Sequence, residues 1–365
     1  MPPFIAASSC AAPGREPRPP RSRCTGGHAG GTGAPPERGR GEGWHRRRAG
    51  ADRARRGKVD GVSREDLHPP AGAVREAVAR ALAEDLTPLG DLTSGLLPAA
   101  ARATAEFVAR TPGVLAGRRC ADEAFRQVDP EVTVDWSADD GDDVRSAQVL
   151  GRVDGPLASV LTAERTALNF LSHLSGVATL TRRYVDEAAD GAQVWDTRKT
   201  TPGLRALEKA AVRAGGGRNH RGNLSDWVML KDNHLTVLGI TEAVARARDR
   251  WPGRTVHVEC ASLEEVVEAL AAGADALLLD NMGPDEVRAA MAAVGEHRAA
   301  GGSRCLVEAS GGITLDTVAT FAATGVDLVS VGALTNSAPV LDIGLDIAVG
   351  GEPASPSART QPGAL

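Results

Sequence analysis

Residues 255–281 run TVHVECASLEEVVEALAAGADALLLDN. An apolar segment, Thr255–Glu259, leads into an amphipathic stretch, Leu263–Ala272, and after a Gly-Ala-Asp link a second apolar segment follows at Ala276–Asp280. The spacing predicts strand, helix, strand. Two strands joined by a helix of this length lie parallel, because the helix supplies the crossover. Outward from this unit the alternation repeats. Strands are expected at Gln193–Asp196, Trp227–Leu230, Cys305–Glu308 and Leu328–Val331, and helices at Pro202–Ala214, Thr241–Arg250, Pro284–Arg298 and Leu315–Ala323. Such alternation predicts an α/β domain over residues 191–337, with a parallel sheet that closes toward a barrel. All strand C-termini then share one rim, where such barrels keep their sites.

Upstream the pattern differs. A helix is expected over Ala73–Leu86, and strands at Thr104–Ala109, Val132–Trp136, Ala147–Val153 and Leu157–Leu161, the last two joined by an Asp154-Gly155 hairpin turn. A helix over Thr162–Ser175 carries a Leu168, Leu171, Leu174 stripe, with Thr162 as its N-cap. Residues 67–190 are therefore expected to form an α+β sandwich domain.

Charge separates the folded part from a tail. Residues 1–66 hold 14 Lys+Arg, 7 Asp+Glu, 12 Gly and 8 Pro, and the remaining residues hold 28 Lys+Arg against 40 Asp+Glu. The first segment has low-complexity composition. No aromatics alternate with its basic residues, so a solvated tail is expected rather than a nucleic-acid arm, and the acidic remainder argues against nucleic acid too. Residues 350–365 form a second expected tail. No apolar run reaches the length of a membrane span, and no compact apolar segment marks a signal peptide. Five cysteines without paired spacing predict neither disulfides nor zinc, and hence a reducing compartment, the cytoplasm.

The chain holds only four lysines, Lys58, Lys199, Lys209 and Lys231, against 38 arginines. A lysine kept in such a background is a candidate for lysine-specific chemistry. Lys199 and Lys231 fall just past strands. Lys209 falls inside the Pro202–Ala214 helix, where a solvated position and a role in the site stay equally open.

The residues past the strands carry most information. They read Asp196-Thr197-Arg198-Lys199-Thr200-Thr201, then Lys231-Asp232-Asn233-His234, Glu259, Asp280-Asn281, Glu308-Ala309-Ser310-Gly311-Gly312, and Gly332-Ala333. One strand-end charge is ordinarily a solvated cap, but here charged residues of both signs converge from five of six strands. Ser310-Gly311-Gly312 precedes a helix and Gly332-Ala333 follows the next strand, a placement suited to phosphate. Gly215-Gly216-Gly217 ends a helix, as a flexible C-cap would, and leads into Arg218-Asn219-His220-Arg221. Arg198, Lys199, His220, Arg221 and Lys231 make a pocket for a polyanion. Glu259 and Asp280 fit there if they hold Mg²⁺ bridging to phosphates or steady a developing cation. Phosphoribosyl transfer from phosphoribosyl pyrophosphate needs both.

These strings, together with Thr162-Ala163-Glu164-Arg165, Leu279-Asp280-Asn281 and Val331-Gly332-Ala333-Leu334-Thr335, resemble the quinolinate phosphoribosyltransferase family from about Leu67 to Val349. The resemblance implies a type II phosphoribosyltransferase fold: a sandwich domain, an incomplete barrel, and a final helix near 338–349 returning to the first domain. It implies a homodimer whose sites are shared between subunits, and release of CO₂ and pyrophosphate as nicotinate mononucleotide forms from quinolinate. By the same resemblance Arg165 reaches across to quinolinate, while Arg198, His220, Arg221 and Lys231 hold its carboxylates. Lys199 lies between the substrates, Glu259 and Asp280 at the ribose and its Mg²⁺, and Ser310, Gly311, Gly312, Gly332 and Ala333 at the 5′-phosphate. The family's Leu-Thr-His-Ser becomes Leu334-Thr335-Asn336-Ser337 here. Three other readings have less support. A related protein of molybdenum-transport operons would lack need of the His220-Arg221 pair and Lys231. A Schiff-base lyase would want its lysine in an apolar pocket. A nucleic-acid-binding protein would rest on the tail alone.

Overall fold

The computed structural model describes residues 58–59 and 62–349, so nearly all of the expected tails 1–66 and 350–365 lies outside the described residues. Within the expected tail, Lys58–Val59 pairs antiparallel with Val62–Ser63 and Arg64–Leu67 forms a 3-10 turn, and Asp66 and His68 each offer a carbonyl to the Arg213 guanidinium.

The N-terminal layer is a four-stranded antiparallel sheet. Its strands are β1 (Arg102–Ala109), β2 (Thr133–Trp136), β3 (Val149–Pro156) and β10 (Ile343–Val349), in the order β10-β1-β3-β2. Helices α1 (Ala71–Leu86), α2 (Arg118–Val128) and α3 (Leu157–Ala188) pack with it. Buried Phe107 stacks on Trp136 with centroids 5.1 Å apart. Gly151 makes room, since a Cβ there would sit 2.9 Å from the Trp136 ring.

Two expectations fail in this layer. The Asp154-Gly155 pair is not a turn. Strand β3 runs through it and passes directly into α3 at Leu157, leaving no Leu157–Leu161 strand. Gly155 serves close packing instead, because a Cβ would meet Val132 at 2.8 Å. Thr162 is consequently inside the helix, its hydroxyl donating to Asp91. Nor is the segment 338–349 a helix: its ordered part, Ile343–Val349, is a strand paired along β1. Its pattern has period two, with Ile343 and Leu345 buried and Asp346 exposed and paired with Arg110.

The second layer is a six-stranded parallel sheet: β4 (Gln193–Trp195), β5 (Val228–Leu230), β6 (Val256–Cys260), β7 (Ala276–Asp280), β8 (Leu306–Ser310) and β9 (Leu328–Ser330), in the order β4-β9-β8-β7-β6-β5. Helices α4 (Arg205–Ala214), α5 (Asp232–Leu238), α6 (Ile240–Arg250), α7 (Leu263–Ala271), α8 (Pro284–Ala299) and α9 (Leu315–Ala322) connect the strands, and a short α10 (Ala333–Asn336) follows β9. Register sorts the side chains. Val194, Val258, Leu277, Leu279, Val307, Ala309 and Val329 are buried against the helices, as parallel strands covered by helices require. On the opposite, inner face the aligned residues are His257 and Glu259, Leu278 and Asp280, Glu308 and Ser310, Ser330 and Trp195.

The sheet curls into an incomplete barrel. Residue Arg218 bridges to Trp195 on the open side of β4, and the next side chain but one, His220, faces Trp195 and reaches Trp227 beside the opposite edge strand, with centroids 4.8 Å apart. Only a curved sheet brings its two edges this close.

Helix α3 contacts both layers. At Gly176 the returning chain crosses it so closely that a Cβ would lie 2.1 Å from the Pro339 carbonyl oxygen. Gly176→Ala is therefore expected to lower stability in urea denaturation by about 1–3 kcal/mol, the usual cost of overpacking, with secondary structure retained.

Candidate active site

The rim is built on one buried carboxylate. Asp196, fully buried just past β4, accepts the Lys209 ammonium, the His220 backbone N–H at 2.8 Å and the Asn219 amide at 2.7 Å. Lys209 also donates to the His220 carbonyl at 2.9 Å. Burial pushes the Asp196 pKa up and the Lys209 pKa down, and each partner's charge opposes that shift. Three donors converge on Asp196, which supports the charged form of the pair. Lys209 is thus neither solvated nor open to substrate: it holds the loop that presents His220 and Arg221.

The triple glycine before that loop ends α4 as expected, with Gly215 as C-cap and Gly216 at φ +90°, and it is also a packing device. A Cβ at Gly215 would lie 2.4 Å from the Ala178 carbonyl oxygen, and one at Gly217 would lie 2.7 Å from the Thr181 side chain. The chain lies flush on α3 before it turns into the rim. Glu208, buried in α4, ties the preceding loop down by accepting from the Thr201 N–H at 3.0 Å and meeting His173 of α3 at 2.9 Å.

The cations gather on this frame. Arg221 is buried to 8% exposure, and burial first, then the charge of Arg198, lowers its pKa. Two guanidiniums in mutual repulsion, with the buried Arg198 Nε lacking a partner among the described residues, call for an anion between them. Lys199 is exposed, and its carbonyl is held by the Thr335 hydroxyl at 2.9 Å. Its side chain passes over Gly332, where a Cβ would approach it to 3.0 Å. Lys231 is ion-paired with Glu259.

The two glycine loops are tightly turned. Gly311 has φ +101°, and a Cβ there would collide with Asn281 at 2.2 Å. Asn281, itself at φ +56°, donates its N–H to the Ser310 carbonyl at 2.9 Å. Gly312, at φ +60°, faces open space. The Ser330 hydroxyl donates to that of Ser310 at 3.0 Å, leaving the Ser310 hydrogen for another acceptor. Gly332 caps the short α10, Ala333 begins it, and Asn336 is tied to Ser337.

One placement differs from the sequence reading, one residue escaped it, and Arg165 stands apart from this rim. Glu308 is not at the rim: β8 continues to Ser310, so Glu308 lies inside the barrel at 1% exposure. There its Oε2 meets His220 Nε2 at 3.1 Å and His257 Nε2 at 3.4 Å. Burial raises the Glu308 pKa, but the His220 hydrogen bond and the His257 imidazole outweigh it and leave the carboxyl below its ordinary value. His257 went unnoticed in the sequence, although it stands two residues before Glu259 and so on the same face. Arg165 lies on the exposed side of α3 and forms no ion pair among the described residues.

Residues 91–175 match the family model "Quinolinate phosphoribosyl transferase, N-terminal domain", and residues 177–346 match that of the C-terminal domain. The chain belongs to the quinolinate phosphoribosyltransferase family. It is 42% identical over 268 residues to the probable nicotinate-nucleotide pyrophosphorylase [carboxylating] of Bacillus subtilis, covering 72% of this chain and 90% of that protein. It is 41% identical over 283 residues to the Mycobacterium leprae nicotinate-nucleotide pyrophosphorylase [carboxylating], covering 75% of this chain and 97% of that protein. Among solved structures, the nicotinate-nucleotide pyrophosphorylase from Francisella tularensis superposes with a TM-score of 0.71 at 36% identity, covering 77% of this chain and 98% of that one. The two family models meet inside α3, next to Gly176, where the structure has no break.

Because Asp196 would be left buried without its cation, Lys209→Met is expected to cost about 3–5 kcal/mol of stability. Thermal melts would check this, and Asp196→Asn in the Lys209→Met background should recover part of the loss.

Proposed function

We propose that this rim carries out phosphoribosyl transfer to quinolinate with decarboxylation, in the de novo synthesis of NAD. The observation that carries the reading is buried Arg221, on which the charge of Arg198 bears, together with His220 and Lys231, in a chain of this family. A pyridine dicarboxylate supplies the anion such a cluster lacks, and planar guanidiniums grip carboxylates through two parallel hydrogen bonds. In the transfer the pyridine nitrogen bonds to C1′ of phosphoribosyl pyrophosphate as the C1′–oxygen bond to pyrophosphate breaks. The bond from the ring to its 2-carboxylate then breaks, CO₂ leaves, and the ring carbon takes a proton. The cationic ring stabilises that carbanion, so the protein's part is orientation and charge.

Roles follow from position. Arg198, His220, Arg221 and Lys231 hold the carboxylates. Lys231 exchanges its Glu259 partner for substrate, which frees Glu259 to steady the ribose as C1′ becomes cationic. Lys199, reaching over Gly332, bridges the two substrates. Ser310, Gly311, Gly312, Gly332 and Ala333 cradle the 5′-phosphate. Asp280 is a half-buried carboxylate that accepts from the Asn281 amide and pairs with no cation among the described residues. It and Glu259 offer the hard oxygen donors that suit Mg²⁺ shared with a diphosphate. Mg²⁺ bound there would neutralise charge on the departing pyrophosphate.

Arg165 belongs to a second copy's site in this reading. Its exposure on α3, without an ion pair to its own rim, supports a homodimer with shared sites. The three described cysteines, Cys120, Cys260 and Cys305, are free, as in a reducing compartment such as the cytoplasm, and burial pushes each thiol up to about 12. No described helix is long and apolar enough to cross a membrane. A Schiff-base lyase finds no support, because Lys199 is exposed, Lys231 is ion-paired and Lys209 is locked on Asp196.

Purified protein given quinolinate, phosphoribosyl pyrophosphate and Mg²⁺ should release CO₂ and pyrophosphate. Equal turnover of nicotinate would overturn the dicarboxylate assignment. Arg165→Ala and Lys199→Ala should each be nearly inactive alone, and unfolding and refolding them together should restore part of the activity. No recovery would count against the shared site.

A further inference from the structure

Glu308 has no part in the chemistry above, yet it is among the most unusual residues in the chain. It is a carboxylate at 1% exposure, in mid-strand, with no Lys or Arg ion pair among the described residues. Among the described residues its Oε1 lacks a hydrogen bond of full geometry, although the Ser330 hydroxyl lies beside the carboxyl, and the neighbouring His257 Nε2 lacks one too. Burying such a group costs stability, and apolar side chains of similar volume would usually serve the fold better. A reason other than packing is therefore needed.

The position supplies one. The His220 backbone is already fixed at both its polar atoms, its N–H by Asp196 and its carbonyl by Lys209. What remains free is rotation of the ring, and Glu308 removes that freedom by engaging Nε2 at 3.1 Å from inside the barrel. Trp195 and Trp227 meet the ring edge-on, with centroids at 6.2 and 4.8 Å. With Nε2 committed inward, Nδ1 is the ring nitrogen left for a ligand. His257 faces the same Glu308 oxygen from β6 and so keeps that carboxylate from swinging. Two residues along β8, Ser310 opens the phosphate loop, so one strand carries both the support for the pyridine contacts and the phosphate contact.

We propose that Glu308 is a positioning residue for the pyridine dicarboxylate: it sets the His220 ring, with His257 as the brace for its carboxylate. The proposal rests on the assignment of His220 and Arg221 to quinolinate. It separates quinolinate binding from phosphoribosyl pyrophosphate binding, which a merely structural role would not do.

The test is steady-state kinetics of the full-length Glu308→Gln and His257→Leu proteins beside Arg221→Ala. Glu308→Gln keeps the shape and an acceptor but loses the charge. Its KM for quinolinate should rise about 10–100-fold, the equivalent of one charged hydrogen bond, while kcat and the KM for phosphoribosyl pyrophosphate stay within about twofold. His257→Leu should raise the same KM by a smaller factor, and it supplies the test on its own if Glu308→Gln fails to fold. An unchanged quinolinate KM in a folded Glu308→Gln protein, with a raised KM in Arg221→Ala, would overturn this proposal alone. Unchanged values in both would overturn the placement of the dicarboxylate as well. Stoichiometric zinc or iron in the purified wild-type protein would also overturn it, since His220, His257 and Glu308 would then be ligands rather than a brace.

Discussion

The active rim depends on a single buried ion pair. Asp196 comes from the end of the first barrel strand, Lys209 from the first barrel helix, and the segment they jointly hold carries His220 and Arg221. That segment lies against the open edge of the sheet, where no strand supplies a ladder. Glu259, Asp280 and Ser310, by contrast, inherit their places from strands paired on both sides. Here the same service is performed by one carboxylate with three donors. The arrangement explains why an incomplete barrel keeps a well-defined rim: the gap is stapled by side chains instead of strands.

Much of the fold is legible in the sequence because strand–helix alternation is a local signal. Ala276–Asp280 is recovered to the residue, and the other five barrel strands to within two. Errors cluster where a long-range contact decides the outcome. Gly155 has the composition of a turn, and only the Val132 side chain facing it explains a glycine in a strand. Ile343–Val349 alternates as a strand does, yet its pairing partner lies more than two hundred residues earlier, and the resemblance to a family suggested a helix. Arg118–Val128, an amphipathic helix, passed unread between two weak strands.

The site follows the same division. Lys199, Lys231, the acids and the phosphate-loop glycines sit at strand ends, so topology alone locates them. The residues that support them do not: Lys209, Glu208, His257 and Glu308 lie in element interiors, and each gains its meaning from a partner distant in sequence. Two residues of extra length in one strand, Ala309 and Ser310 beyond Glu308, move that glutamate from rim to interior and change its chemistry altogether.

Helix α3 has a consequence of a different kind. Its 32 residues form one rod about 48 Å long at 1.5 Å per residue. Arg165 projects from one part of it, while Ala178 and Thr181 bear on the glycines behind the rim. Each added or lost residue would turn one part against the other by about 100°. The rod therefore works as a keyed shaft: the number of residues between Arg165 and Thr181 cannot drift, and the angular phase between its two ends is carried by counting.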